Sequence, residues 1–282
     1  MREVTFAALQ WACGAPGSLD AAERLARAAA AEGAQVILMP ELFETPYFCK
    51  TQETKLLGLA RPFEGHAVIE RFAALARELG VVLPVSFYEA EGNAAFNSLA
   101  VIDADGAVLG LYRKSHIPQG PGYEEKFYFS PGDTGFRVWD TAHGRLGFGI
   151  CWDQWFPEAA RAMALMGAEA LLYPIAIGSE PAEPLYDSRP HWETVMRGHA
   201  GANMVPVVAA NRIGEEAQRD VEMSFYGGSF IAGSTGDLLS EAGGGEGMAL
   251  ASVDLGAAAE ARRAWGLFRD RRPDLYGRLG AM

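Results

Sequence analysis

Only three cysteines, Cys13, Cys49 and Cys151, stand in 282 residues, too few and too scattered for a disulfide framework or a zinc knuckle. A reducing compartment, the cytoplasm, is therefore expected. No apolar stretch approaches the roughly 20 residues that span a bilayer. The first residues hold no basic segment leading into an apolar run, so no signal peptide is expected. Basic residues are also scarce: 24 Lys and Arg against 36 Asp and Glu give a net charge of −12. That balance argues against nucleic acid as a partner and favours cationic ligands. No linker divides the chain, and the Gly-rich 243–247 reads as a surface loop. What is abundant is apolar sequence, 49% of the residues, enough for one large core in one domain or two tightly joined halves.

The apolar residues fall into short runs that alternate with helical patterns. Residues 4–11 (VTFAALQW) read as a strand, and 18–33 as a helix with Ser18 as its N-cap and Gly33 at its end. Residues 34–40 form an apolar strand stopped by Pro40, 66–80 a helix, and 81–89 a strand. Residues 97–114 read as a hairpin turning at Asp105-Gly106. The order then recurs: strand 145–152, helix 156–167, strand 168–174, helix 188–203, the strand in MVPVVAANRIG, and a hairpin turning at Thr235-Gly236. GAQVILMPE (33–41) and GAEALLYPI (167–175) match almost position by position. Two similar α/β halves, each with a mixed sheet, are thus expected to stack into one domain over 1–282. The basic, aromatic tail, about 262–282, is expected to lie on the surface or against another subunit.

Cys151 ends an apolar run, and Pro157 and Glu158 behind it suit the first turn of a helix. A thiol at such an elbow is expected to feel the helix N-terminus, which favours the thiolate, while the N–H groups that follow can hold an oxyanion. The plainer reading, a small buried hydrophobe, is the one taken for Cys13 and Cys49. A cysteine nucleophile needs a base. Among His66, His116, His143, His191 and His199, pattern alone leaves His116 and His191 open. A carboxylate is the other option: Glu41 stands just past an apolar strand, and if adjacent strands end at one edge it shares a crevice with Cys151. Lys114, at the end of the hairpin, can stabilise an oxyanion or hold a carboxylate charged.

PELFETPYF, YRKSHIP and GICWDQWFPEAAR, taken in this order, resemble the nitrilase superfamily of carbon–nitrogen hydrolases. The likeness extends to EEKFYFSPGDTGF and RDRRPDLY and so covers nearly the whole chain. It implies a four-layer α-β-β-α sandwich of two mixed-sheet halves and a homo-oligomer, with no metal or organic cofactor. It makes Glu41 the general base, Lys114 the oxyanion stabiliser and Cys151 the nucleophile. It assigns a second glutamate to Glu125, with Glu124 as its neighbour. Within the superfamily, SHIPQGPGYEEKFYFSPGDTGF and CWDQWFPEAARAM resemble the branch acting on N-carbamoylputrescine, which implies a small cationic N-carbamoyl substrate. Relatives that cleave N-carbamoyl amino acids carry arginines where Gln154 and Trp155 stand, so a carboxylate tail would lack its guanidinium fork. An ammonium tail wants acids and aromatic faces. Glu180 and Asp187, with Tyr47, Tyr123 and Trp152, are the candidates to line the pocket. The alternatives are an ω-amidase or β-ureidopropionase-like enzyme, a papain-like protease needing a histidine, and a binding protein without turnover.

Overall fold

The computed structural model describes residues 2–281. Alternation along β1 (Glu3–Gln10) sets the layering. Val4, Phe6 and Ala8 join a core shared by two sheets, while Ala7 and Leu9 face a second core under helices α1 (Ser18–Ala31) and α2 (Ala67–Leu79). The period of two sends successive side chains to opposite faces. β2 (Val36–Leu38) repeats the pattern, with Val36 and Leu38 between the sheets and Ile37 toward the helices. Each fully buried Phe or Leu contributes about 1.5–3 kcal/mol, so both faces of these strands are held strongly.

The first sheet continues from β2 through a parallel bridge, Val36 to Val82, into β3 (Val85–Glu91), β4 (Ala94–Ile102) and β5 (Val108–Arg113). The second sheet begins with β6 (Val138–Thr141), β7 (Gly144–Phe148) and β8 (Ala170–Ile175), with α3 (Pro157–Leu165) between the last two. After α4 (Arg189–Asn203) comes β9 (Val207–Asn211). A projecting hairpin, β10 (Ile213–Gln218) and β11 (Val221–Tyr226), precedes β12 (Phe230–Ala232) and β13 (Leu238–Glu241). Helices α3 and α4 cover the outer face, where Ala160, Met163, Trp192 and Met196 pack on the sheet. The result is the expected four-layer α-β-β-α sandwich. β14 (Gly247–Asp254) leads into α5 (Leu255–Trp265).

The two sheets share one order and one set of directions. β14–β1–β2–β3–β4–β5 matches β6–β7–β8–β9–β12–β13, antiparallel at both margins and parallel in the middle. The repeated GAQVILMPE and GAEALLYPI are β2 and β8, each third in its sheet.

Several expectations change. One strand was not anticipated: β14, directly after the Gly-rich loop, closes the first sheet against β1 over its whole length. Ser18 does not cap α1; Gly17 stands before the helix in the left-handed region at φ 86. The Ser18 hydroxyl instead donates to Phe43 O (2.6 Å) and accepts from Trp11 Nε1 (2.9 Å). The tail lies on the surface as short turns, with Arg161 and Arg262 over the Phe268 ring. Among the described residues no helix is long and apolar enough to cross a membrane.

Candidate active site

Strand ends from both halves meet where Glu41 N donates to Ile175 O (3.3 Å), joining the segments that follow β2 and β8. Glu41, Lys114 and Glu125 are all fully buried there. Lys114, directly after β5, donates from Nζ to Glu41 Oε1 (2.8 Å) and to Glu125 Oε2 (2.7 Å). Asn97 on β4 gives Glu41 Oε1 a second donor (2.6 Å), and Tyr47 donates its hydroxyl to Glu125 Oε1 (2.7 Å). Among the described residues Glu41 Oε2 is buried without a hydrogen-bond partner, whereas its Oε1 has two. Glu124 points away, accepting from Gln52 Nε2 (2.8 Å) and from Gln119.

One ammonium cannot neutralise two buried carboxylates. Burial drives the Glu125 carboxyl up, Lys114 opposes, Glu41 adds to the rise, and the group sits at about 7. Burial alone would lower the Lys114 ammonium, but Glu125 and Glu41 outweigh it and hold the group well above its ordinary value.

Cys151 opens a short 3₁₀ turn, Cys151–Trp155, at φ 40. A non-glycine residue there is strained by roughly 1–3 kcal/mol and persists only when its surroundings dictate it. Asp153 supplies that constraint. Its carboxylate accepts from Ile150 N (2.9 Å), Tyr112 OH (2.7 Å) and His116 N (3.0 Å). The expected thiolate is corrected. The true helix α3 begins only at Pro157, while burial, then Glu41, pushes the Cys151 thiol well up against the pull of Lys114. The resting group is a thiol and needs a base. Its polar neighbour is Ala176 O, 3.9 Å from Sγ. His116 is engaged elsewhere, with Nδ1 2.7 Å from Asp153 Oδ1 and its ring stacked on Phe156.

Above Cys151 opens a pocket of about 390 Å³. Of the four predicted catalytic positions only Cys151 lines it; the other three are fully buried outside its lining. Trp152, Tyr123 and Glu180 line it as expected, and the Tyr123 hydroxyl accepts from Gly178 N (3.1 Å). Burial raises the Glu180 carboxyl, Ser188 lowers it and Glu183 raises it again. Two predicted residues fall elsewhere. Tyr47 is fully buried behind Tyr123 and reaches Glu125 rather than the pocket. Asp187 accepts from Arg189 N (3.0 Å) at the start of α4, so its carboxylate is occupied in a turn. Glu183 and Tyr186, not foreseen, also line the pocket, as does His191, one of the two histidines left open by the sequence. His191 faces Trp155, with Nδ1 3.3 Å from Tyr186 OH.

Residues 4–263 match the family described as carbon–nitrogen hydrolase. The chain belongs to that family. This carbon–nitrogen hydrolase is 58% identical over 282 residues to an N-carbamoylputrescine amidase of Solanum tuberosum, covering 98% of this chain and 94% of the relative. It is 54% identical over 252 residues to a citrullinase of Francisella tularensis subsp. tularensis, covering 89% and 88%. A crystal structure of a carbon–nitrogen hydrolase from Helicobacter pylori G27 superposes with a TM-score of 0.92 at 39% identity, covering 98% of each chain. The protein is therefore a hydrolase acting on carbon–nitrogen bonds, with a nitrilase-like fold.

The carbon–nitrogen hydrolase thus has a thiol lining one pocket and, fully buried, a carboxylate with one unpartnered oxygen held by an ammonium. Such a set can transfer a proton, form a covalent acyl bond and hold an oxyanion. Asn97 escaped the sequence reading, although a polar residue in the buried strand AAFNSLAVI was a usable signal.

Proposed function

We propose that this chain is a cysteine-dependent amidohydrolase that cleaves N-carbamoylputrescine to putrescine, carbon dioxide and ammonia. The observation that carries the substrate is the charge of the pocket. Glu180 and Glu183 line it, and no Lys or Arg does among the described residues. An ammonium tail finds acids and the aromatic faces of Trp152 and Tyr186 there, whereas a carboxylate tail finds no cation.

In the proposed reaction Glu41 takes the Cys151 proton on Oε2, the oxygen without a partner. The sulfur attacks the ureido carbon, and the oxyanion is stabilised by Lys114 Nζ and the Trp152 N–H. Glu41 returns the proton to the terminal nitrogen, ammonia leaves, and an S-carbamoyl cysteine bearing the aminobutyl group remains. Glu41 then deprotonates a water that hydrolyses this intermediate, restoring the thiol. The released carbamic acid breaks down to putrescine and carbon dioxide. Glu125 keeps Lys114 in place between the two carboxylates. A reducing compartment suits a free catalytic thiol, and the exposed Trp265, Leu275 and Leu279 of the tail suit a contact between subunits.

The Francisella relative favours a second reading, citrulline, which adds an α-carboxylate to the same ureido chain. Initial rates with N-carbamoylputrescine, citrulline and neutral N-butylurea separate the two. The proposal expects the cationic substrate to have the highest kcat/KM; a faster reaction with citrulline would replace it.

A further inference from the structure

Three main-chain carbonyls converge on one guanidinium behind the site. Arg212, directly after β9, is fully buried. Its Nη2 donates to Glu41 O (2.7 Å) and Leu42 O (3.1 Å), and its Nη1 to Thr45 O (3.3 Å) and Glu216 Oε1 (2.9 Å). Leu42 lies in the left-handed region at φ 48, a conformation a leucine keeps only under constraint. Ser86 Oγ holds the other side of that residue by accepting from Leu42 N (3.0 Å). A planar, always-charged fork can bind two successive carbonyls at once; a lysine ammonium is a point charge without that geometry.

The same contacts close a ring. Glu216 accepts from Lys50 Nζ (2.9 Å) and from Tyr47 N (2.7 Å). The Tyr47 hydroxyl reaches Glu125, which holds Lys114, which holds the Glu41 carboxylate. Glu41 is therefore gripped at its main chain by Arg212 and at Oε1 by Lys114 and Asn97.

We infer that Arg212 is a positioning residue: by clamping the carbonyls of Glu41 and Leu42 it aims Glu41 Oε2 at the Cys151 thiol, without touching substrate. This rests on the reading of Glu41 as the base. A misplacement of about 1 Å can cost roughly 100-fold in rate, so the effect should be large.

The test is a double-mutant cycle read by alkylation of Cys151 with iodoacetamide, followed by mass spectrometry of the Cys151 peptide. That readout does not depend on which substrate is correct. Arg212→Met and Glu41→Gln are each expected to slow alkylation by roughly 100-fold near neutral pH, with circular dichroism unchanged. The double variant should be little slower than Glu41→Gln alone, because both changes remove one function. If Arg212→Met does not fold, Arg212→Lys keeps the charge, loses the fork and is read in the same cycle. Equal effects of the Arg212 change in both backgrounds would overturn the inference and leave a purely structural arginine. An unchanged alkylation rate in Glu41→Gln would overturn the base assignment and this inference with it, whatever the substrate assays show.

Discussion

Two buried ionic clusters flank Tyr47, and their stoichiometries are opposite. Around Lys114 two carboxylates share one ammonium; around Glu216 two cations, Lys50 and Arg212, share one carboxylate. The first cluster leaves Glu125 raised and Glu41 Oε2 without a partner. In the second, main-chain carbonyls take up the excess positive charge: Tyr47 O on Lys50 (2.5 Å), and Glu41 O, Leu42 O and Thr45 O on Arg212. Burial would raise the Glu216 carboxyl, but Arg212 and Lys50 prevail and hold it below the usual range. Unbalanced negative charge with an unpartnered oxygen sets apart the cluster proposed to be reactive. Excess cation absorbed by carbonyls marks the supporting one.

That contrast can be broken from either side. The largest expected effect is on turnover. Glu41→Gln keeps the hydrogen bonds to Oε1 but removes the proton acceptor, so kcat should fall by roughly 10²–10⁴ with KM changed only a few-fold; steady-state kinetics check it. Glu216→Gln should act first on stability. Two buried cations left without a carboxylate cost about 3–5 kcal/mol, read as a fall in denaturation midpoint that exceeds any loss of rate per folded molecule. A loss of rate per folded molecule as large as that expected for Arg212→Met would show that Glu216 is needed for Arg212 to hold Glu41.

Glu125 sharpens the comparison through pH. Burial raises its carboxyl from 4.5, the ordinary glutamate value, to about 7 in the folded protein. Below the lower value both states are protonated and the group costs nothing. Between the two values the unfolded state ionises while the folded state keeps its proton, so stability is lost as pH climbs toward the higher one. Wild-type Tm should decline across this window on account of Glu125, and Glu125→Gln should flatten the decline. The smallest effect lies at the pocket mouth. Glu180→Gln should raise KM a few-fold for a cationic substrate and leave KM for N-butylurea unchanged; equal shifts would remove Glu180 as the ammonium partner.

The core of this arrangement was legible in the sequence because local pattern carries it. β2 and β8 announced themselves as a repeat; Glu41, Lys114 and Cys151 each follow an apolar run, but that pattern left His116 and His191 open as bases, and the family resemblance singled the three out. What was hidden is non-local. β14 pairs with β1 across some 240 residues, Glu3 facing Asp254, and no local pattern reveals such a pairing. The β10–β11 hairpin is rich in charged residues and half exposed, so it lacks the alternation that marks a core strand. The thiolate expectation failed because spacing shows a helix start but not how dry the site is. Tyr47 and Asp187 were placed on the pocket by proximity along the chain, while a buried glutamate and a helix start claim them. Arg212 left a trace, a cation closing the apolar run VPVVAAN, but only the fold brings the carbonyls of Glu41 and Leu42 to it.

Cys151 is proposed to carry the reaction as a nucleophile activated by the buried Glu41. The most direct test is ammonia release from N-carbamoylputrescine by the purified protein beside Cys151→Ala. Steady release is expected from the wild type and none above the uncatalysed rate from the variant; turnover that survives in Cys151→Ala would contradict a nucleophilic Cys151.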